Sequence, residues 1–177
     1  MKNKSVYLIS QAAIIAAVYV LLTLLSSLFG LSNGVIQLRL SECLAVLPAF
    51  SFSAVPGLFA GCLIGNVLTG GEIIDVIAGS LATLLAAAVS RKLFRTDRSP
   101  ETGLRKGRLP VRGFLASLPN ILVNSITVPL VLKYAYGING RLSFFILTVF
   151  AGELISSGIF GAVLYSALYQ KRKVIFR

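Results

Sequence analysis

Histidine and tryptophan are absent from this 177-residue chain, and charged residues make up only 13% of it, against about 25% in a soluble domain. Without histidine there is no imidazole metal ligand and no imidazole general base. Cysteine is limited to Cys43 and Cys62, both in apolar surroundings. They read as buried free thiols, because a disulfide framework or a metal cluster needs more ligands at closer spacing. The phosphate-binding pattern G-x-x-x-x-G-K-[ST] does not occur, so ATP hydrolysis is not expected of this chain. No nucleophile–base pair stands out either. An enzyme of water-phase chemistry is therefore not expected, and neither a cofactor nor a metal is implied.

What is present is hydrocarbon: 56% of the residues are hydrophobic. Apolar runs occur at about 6–28, 43–69, 73–90, 113–136 and 142–169. The first is too long for a signal-peptide core and lacks a small-residue cleavage site, so it reads as a retained helix. The second contains Pro48 and Pro56 with Ser51 and Ser53 between them. Proline removes a backbone donor and clashes with the preceding turn, so this run is one kinked helix or a hairpin of two short ones.

Charge decides between the two. The net charge of +11 lies in short blocks between the apolar runs, a membrane pattern rather than a nucleic-acid one. A hairpin gives six spans, with Lys2, Lys4, the basic loop at about 91–112 and the C-terminal tail all on the cytoplasmic side. Fourteen of the 17 cations then lie inside, and only Arg39, Lys133 and Arg141 face out. A single second span would put the loop and tail outside, against the positive-inside rule. The expected fold is thus an all-α membrane protein, a single domain of six transmembrane helices over 1–177 with both termini cytoplasmic. Its second and third spans are expected to be short or irregular.

Helix association in lipid depends on close packing of small residues. Ala12, Ala13, Ala16 and Ala17 mark one such face in the first span; Gly57, Gly61 and Gly65 mark another. The glycine stripe reads as packing within the bundle. The alanine face suits either the bundle or another subunit.

Six acids occur in the whole sequence, and Asp97 and Glu101 lie in the basic loop. The other four, Glu42, Glu72, Asp75 and Glu153, fall within or at the ends of spans, where ionisable groups are costly and mark function. Glu153 lies 12 residues beyond Arg141, or about 18 Å down a helix, near mid-membrane. Glu42 and Asp75 are expected near the external face. Glu42 could pair with Arg39, and Asp75 could cap its helix. Asn66, Asn120 and Asn124 add amides, with Lys133 near the outer end of its span. The pattern predicts a polar pocket opening outward between the last three spans, with Tyr134, Tyr136, Phe144 and Phe145 as flat walls or interface residues.

The segment Gln37-Leu38-Arg39-Leu40-Ser41-Glu42, with Leu47-Pro48, Pro56-Gly57-Leu58-Phe59-Ala60-Gly61-Cys62 and Asp75-Val76-Ile77-Ala78-Gly79-Ser80-Leu81-Ala82-Thr83-Leu84, resembles the QueT family. Asn124 and Gly152-Glu153 are similar too. The resemblance covers nearly the whole chain, although the basic loop is longer than is usual in the family. It implies an S-component of an energy-coupling factor (ECF) transporter, located in the bacterial cell membrane. Such a component captures a queuosine precursor of the 7-deazaguanine type from outside. It works with a transmembrane coupling subunit and two ATPases, and Ala12, Ala13, Ala16 and Ala17 would dock on the coupling subunit. A guanine edge offers side-by-side N–H donors that one carboxylate accepts, and Glu153 is the candidate. Asp75 or Glu42 would neutralise an aminomethyl cation; Asn124, Asn120 or Asn66 would meet the ring oxygen, and Arg39 completes the candidate set. An S-component for another vitamin and a proton-coupled secondary transporter with Glu153 as proton site remain the alternatives.

Overall fold

The structure, a computed structural model, describes residues 4–31, 38–96 and 106–175. Among them there are helices and no strands. Four helical stretches are long and apolar enough to cross a membrane. These are α1 (Lys4–Leu28), α3 (Ile73–Phe94), α4 (Leu109–Tyr134) and a rod from Leu142 to Arg172. The rod joins α5 (Leu142–Glu153), a π-helical segment (Leu154–Phe160) and α6 (Gly161–Ile175).

Between α1 and α3 lies the expected hairpin. Its first arm is a 3₁₀ helix, Leu40–Ala49, and its second is α2, Ala54–Leu68. At about 2 Å and 1.5 Å of rise per residue the arms are roughly 20 Å and 22 Å long, short of a ~30 Å hydrocarbon core. The 3₁₀ arm holds Pro48 and is almost wholly buried, from Ser41 to Ala49. That placement follows from its backbone: irregular turns persist at membrane depth only when protein, not lipid, surrounds them.

The basic loop is shorter than the sequence suggests. α3 continues through Arg91 and Lys92 to Phe94, and α4 begins at Leu109 and includes Arg112. Cations in the last turn of α3 suit the negative end of its dipole. The remainder of the loop at 97–105, with Asp97 and Glu101, lies outside the described residues, as do Lys2, Gln37 and Arg177.

The start of α1 and the end of α6 share one end of the bundle. Tyr7 Oη and Gln11 Nε2 both donate to the Ile175 carbonyl, at 3.0 and 3.3 Å. The turn between the hairpin arms is at the same end, where Ser51 donates to Gln11 at 2.6 Å and Arg91 to the Pro48 carbonyl at 3.2 Å. The lysines and arginines of α1, α3 and α6 therefore gather at one end.

The glycine stripe packs inside the bundle. A Cβ on Gly57 would lie 2.8 Å from the Ala12 carbonyl, and one on Gly61 would lie 2.7 Å from Tyr19 Cβ. Gly65 faces Thr23 in the same way. Ala16 is buried in this seam, whereas Ala13 and Ala17 face outward. Much of the outer surface of the described helices is apolar, with Ile14, Leu21, Ile77, Leu85, Ile126 and Leu147 exposed.

Candidate functional site

Asn120 and Asn124 lie four residues apart on α4, which places both on one helix face. That face is turned inward. Across from it, Glu153 closes α5 just before the backbone widens into the π segment. Single π turns concentrate at functional sites. Glu42, in the first turn of the 3₁₀ arm, reaches the same point. Glu42 is 2% exposed and Glu153 7%.

Two amides hold the two acids together. Asn120 Nδ2 donates to Glu42 Oε2 at 2.9 Å, Glu153 Oε2 at 3.2 Å and Ser157 Oγ at 3.3 Å. Asn124 Nδ2 donates to Glu153 Oε1 at 3.1 Å and to Glu42 Oε2 at 3.5 Å. Tyr19 Oη donates to Glu42 Oε1 at 2.6 Å. Every one of these donors is neutral. Burying anions against neutral donors alone is expensive, so this cluster is not explained by stability.

A second group sits beside it. Arg39 Nη2 pairs with Asp75 Oδ2 at 3.8 Å, and Arg39 Nη1 donates to Asn66 Oδ1 at 3.2 Å. The Arg39 Nε is buried with no hydrogen-bond partner. Tyr136 Oη donates to Asp75 Oδ2 at 3.0 Å and accepts the Glu72 N–H at 3.1 Å. Desolvation pushes the Tyr136 phenol above its usual pKa. Asp75 thereby joins the segment before the 3₁₀ arm, the start of α3 and the α4–α5 connection.

Between the two groups is a cavity lined by Arg39, Glu42, Cys62, Gly79, Thr83, Asn124, Val128, Val149 and Glu153. Its free volume is about 10 Å³, room for roughly one water. The site is shut, and a ring-sized ligand has to part its walls.

Several expectations need correction. Arg39 pairs with Asp75, not with Glu42 three residues on, because the start of α3 brings a carboxylate to its guanidinium. Asp75 does lie in the first turn of α3, where an acid suits the helix dipole, but its Oδ2 also takes Arg39 and Tyr136. Glu42 is not at the external face but meets Glu153 in the interior. The cavity is lined by α3, α4 and α5, the three spans expected, but also by both hairpin arms. Its apolar walls are Val128 and Val149 rather than aromatic rings. Tyr134 and Phe144 are exposed, Phe145 is buried away from the cavity lining, and Lys133 lies 5.7 Å from the Tyr134 ring.

Tyr19, Cys62, Thr83 and Ser157 belong to the site without having been singled out for it. Tyr19 carried a signal: it lies three and seven residues beyond Ala16 and Ala12, on the small-residue face that packs inward. Thr83 donates to Cys62 Sγ at 3.4 Å and to the Gly79 carbonyl at 2.9 Å, a pairing that only the folded chain reveals.

Comparison with known proteins gives consistent matches. The QueT transporter family matches residues 9–170. The queuosine precursor transporter QueT of Lactococcus lactis subsp. cremoris (strain MG1363) is 34% identical over 134 residues, which cover 76% of this chain and 77% of the relative. No solved structure matches the chain.

Proposed function

This chain belongs to the QueT transporter family, a multi-pass membrane protein of a bacterium, and from that premise we propose that it captures a queuosine precursor of the 7-deazaguanine type from outside the cell. The observation that carries this reading is the acid–amide cluster of Glu42, Glu153, Asn120 and Asn124 beside a shut cavity. Ionisable groups buried in a lipid-bathed bundle mark ligand or ion sites. Glu153 anchors the ring through the side-by-side N–H donors of a guanine edge. Asn124, Asn120 or Asn66 meets the ring oxygen, Asn124 being the one that lines the cavity, with Arg39 in the lining and Asp75 paired to it.

On this reading the hairpin arms are the second and third of six passes, and the end rich in lysine and arginine is cytoplasmic. The chain is one membrane domain that carries a solute rather than transforming it. Energy comes from two ATPases reached through a transmembrane coupling subunit, as part of an ECF module. Support for a docking partner comes from α1. Ala13 and Ala17 are exposed on it, beside an apolar groove of about 410 Å³ lined by Ile14, Leu44, Leu47, Leu164 and Leu168 among others.

The direct test is to purify the protein, denature it and analyse released small molecules by mass spectrometry. A 7-deazaguanine mass is expected. A different vitamin would transfer the capture role to another solute. Proton-driven uptake by the purified chain alone in liposomes would overturn the ATPase-coupled mechanism.

A further inference from the structure

The charge count around the cavity narrows the ligand further. Of the described residues that line it, Arg39 is the only cation, and Glu42 and Glu153 are the acids. Arg39 is engaged by a third acid, Asp75, at 3.8 Å. Glu42 and Glu153 are therefore left with the Tyr19 hydroxyl and the amides of Asn120 and Asn124. Two NH₂ groups and one hydroxyl supply five hydrogens, and Ser157 competes for one of them. Two carboxylates can accept about eight hydrogen bonds. Even with one proton shared between two acids this close, the cluster is short of donors and keeps a negative charge that Arg39, matched by Asp75, does not offset.

Opening the cavity increases the deficit. Asn120 Nδ2 touches Glu42 Oε2 and Glu153 Oε2 at 2.9 and 3.2 Å, so those oxygens lie no more than about 6 Å apart by the geometry of two hydrogen bonds through one nitrogen. Glu42 is carried by the 3₁₀ arm and Glu153 by α5. A ring entering between them must part them, and each acid then needs a new donor. A guanine edge serves one acid. The other faces whatever group the ring carries elsewhere.

We infer that the site selects a cationic ligand, with Glu42 as the counter-ion of a protonated amine on the ring substituent. The aminomethyl form of the base is therefore taken in preference to the cyano form. An ammonium brings three donors and one positive charge to Glu42. A nitrile nitrogen only accepts, so it would leave a buried carboxylate without a partner. This inference rests on the reading of the site as a 7-deazaguanine pocket.

Isothermal titration of the full-length purified protein in detergent tests it. The probes are 7-aminomethyl-, 7-cyano- and 7-hydroxymethyl-7-deazaguanine, the last being a neutral near-isostere of the first. The aminomethyl compound is expected to bind at least about thirtyfold more tightly than either neutral one, the scale of one lost charge-assisted bond. Glu42→Gln should shrink that preference to about threefold or less, mainly by weakening the aminomethyl compound. Equal affinities in the wild type would overturn the inference and leave the proposed function standing. Binding of none of the three would overturn both. The wild-type comparison decides the matter even if the variant fails to fold.

Discussion

Where α1 meets α2, glycine and alanine bring two backbones into contact; where α4 meets α5, two acids and two amides fill the junction. Both contacts are buried, yet they are built from opposite materials. The first needs no polar group. Gly57 and Gly61 fit against Ala12, Ala16 and Tyr19 with no space for a further carbon, and Gly65 lies tight against Thr23, which is how helices associate in a solvent as apolar as their own side chains. The second keeps Glu42 and Glu153 out of water against neutral donors, an arrangement that well-packed apolar residues would match or better for stability. One contact holds the bundle together; the other, on the proposed reading, keeps its polar groups for a ligand.

Four substitutions would break or sharpen this contrast. The largest effect is expected from Gly61→Val, which forces a branched side chain onto Tyr19 and the Ala16 backbone. Overpacking of this kind costs up to about 3 kcal/mol, read as loss of monodisperse protein or a large fall in thermal midpoint. A variant with wild-type melting would show that the seam is loose. Next is Glu153→Gln, which keeps shape and removes charge. Affinity for 7-aminomethyl-7-deazaguanine should fall about a hundredfold, or ~2.7 kcal/mol, with an unchanged or raised melting temperature. Unchanged affinity would remove Glu153 as the anchor.

The smallest effect on the fold is expected from Ala13→Trp and Ala17→Trp, within about 0.5 kcal/mol because both face outward. Ligand binding should persist in these variants. Co-purification with the coupling subunit and ATP-dependent uptake should be lost. Full uptake by both would confine the role of the alanine run to Ala12 and Ala16, inside the bundle.

Much of the fold was legible because lipid imposes simple rules. Apolar runs marked the long helices, cation placement marked the hairpin, and Pro48 and Pro56 marked its irregularity. Glu153, 12 residues along from Arg141, is buried, as its isolation in an apolar run suggested. Long-range pairing was not legible. Arg39 has an acid three residues away, yet its partner is Asp75, 36 positions on. The meeting of Glu42 with Glu153 depends on how the 3₁₀ arm sits beneath α4 and α5, a packing choice that leaves no local trace. The 3₁₀ geometry is tolerated because neighbouring helices bury the arm, and which helices do so is not encoded in the segment itself.

The shut cavity also bears on kinetics. If the walls must separate before a ring can enter, capture proceeds only from a minor open population. The apparent dissociation constant is then raised by the inverse of that fraction. The observed association rate would level off as solute is added, at the frequency of opening rather than of collision, well below the diffusional range. The same barrier slows departure, so a solute once enclosed would be retained long enough for a slower partner to act on the complex.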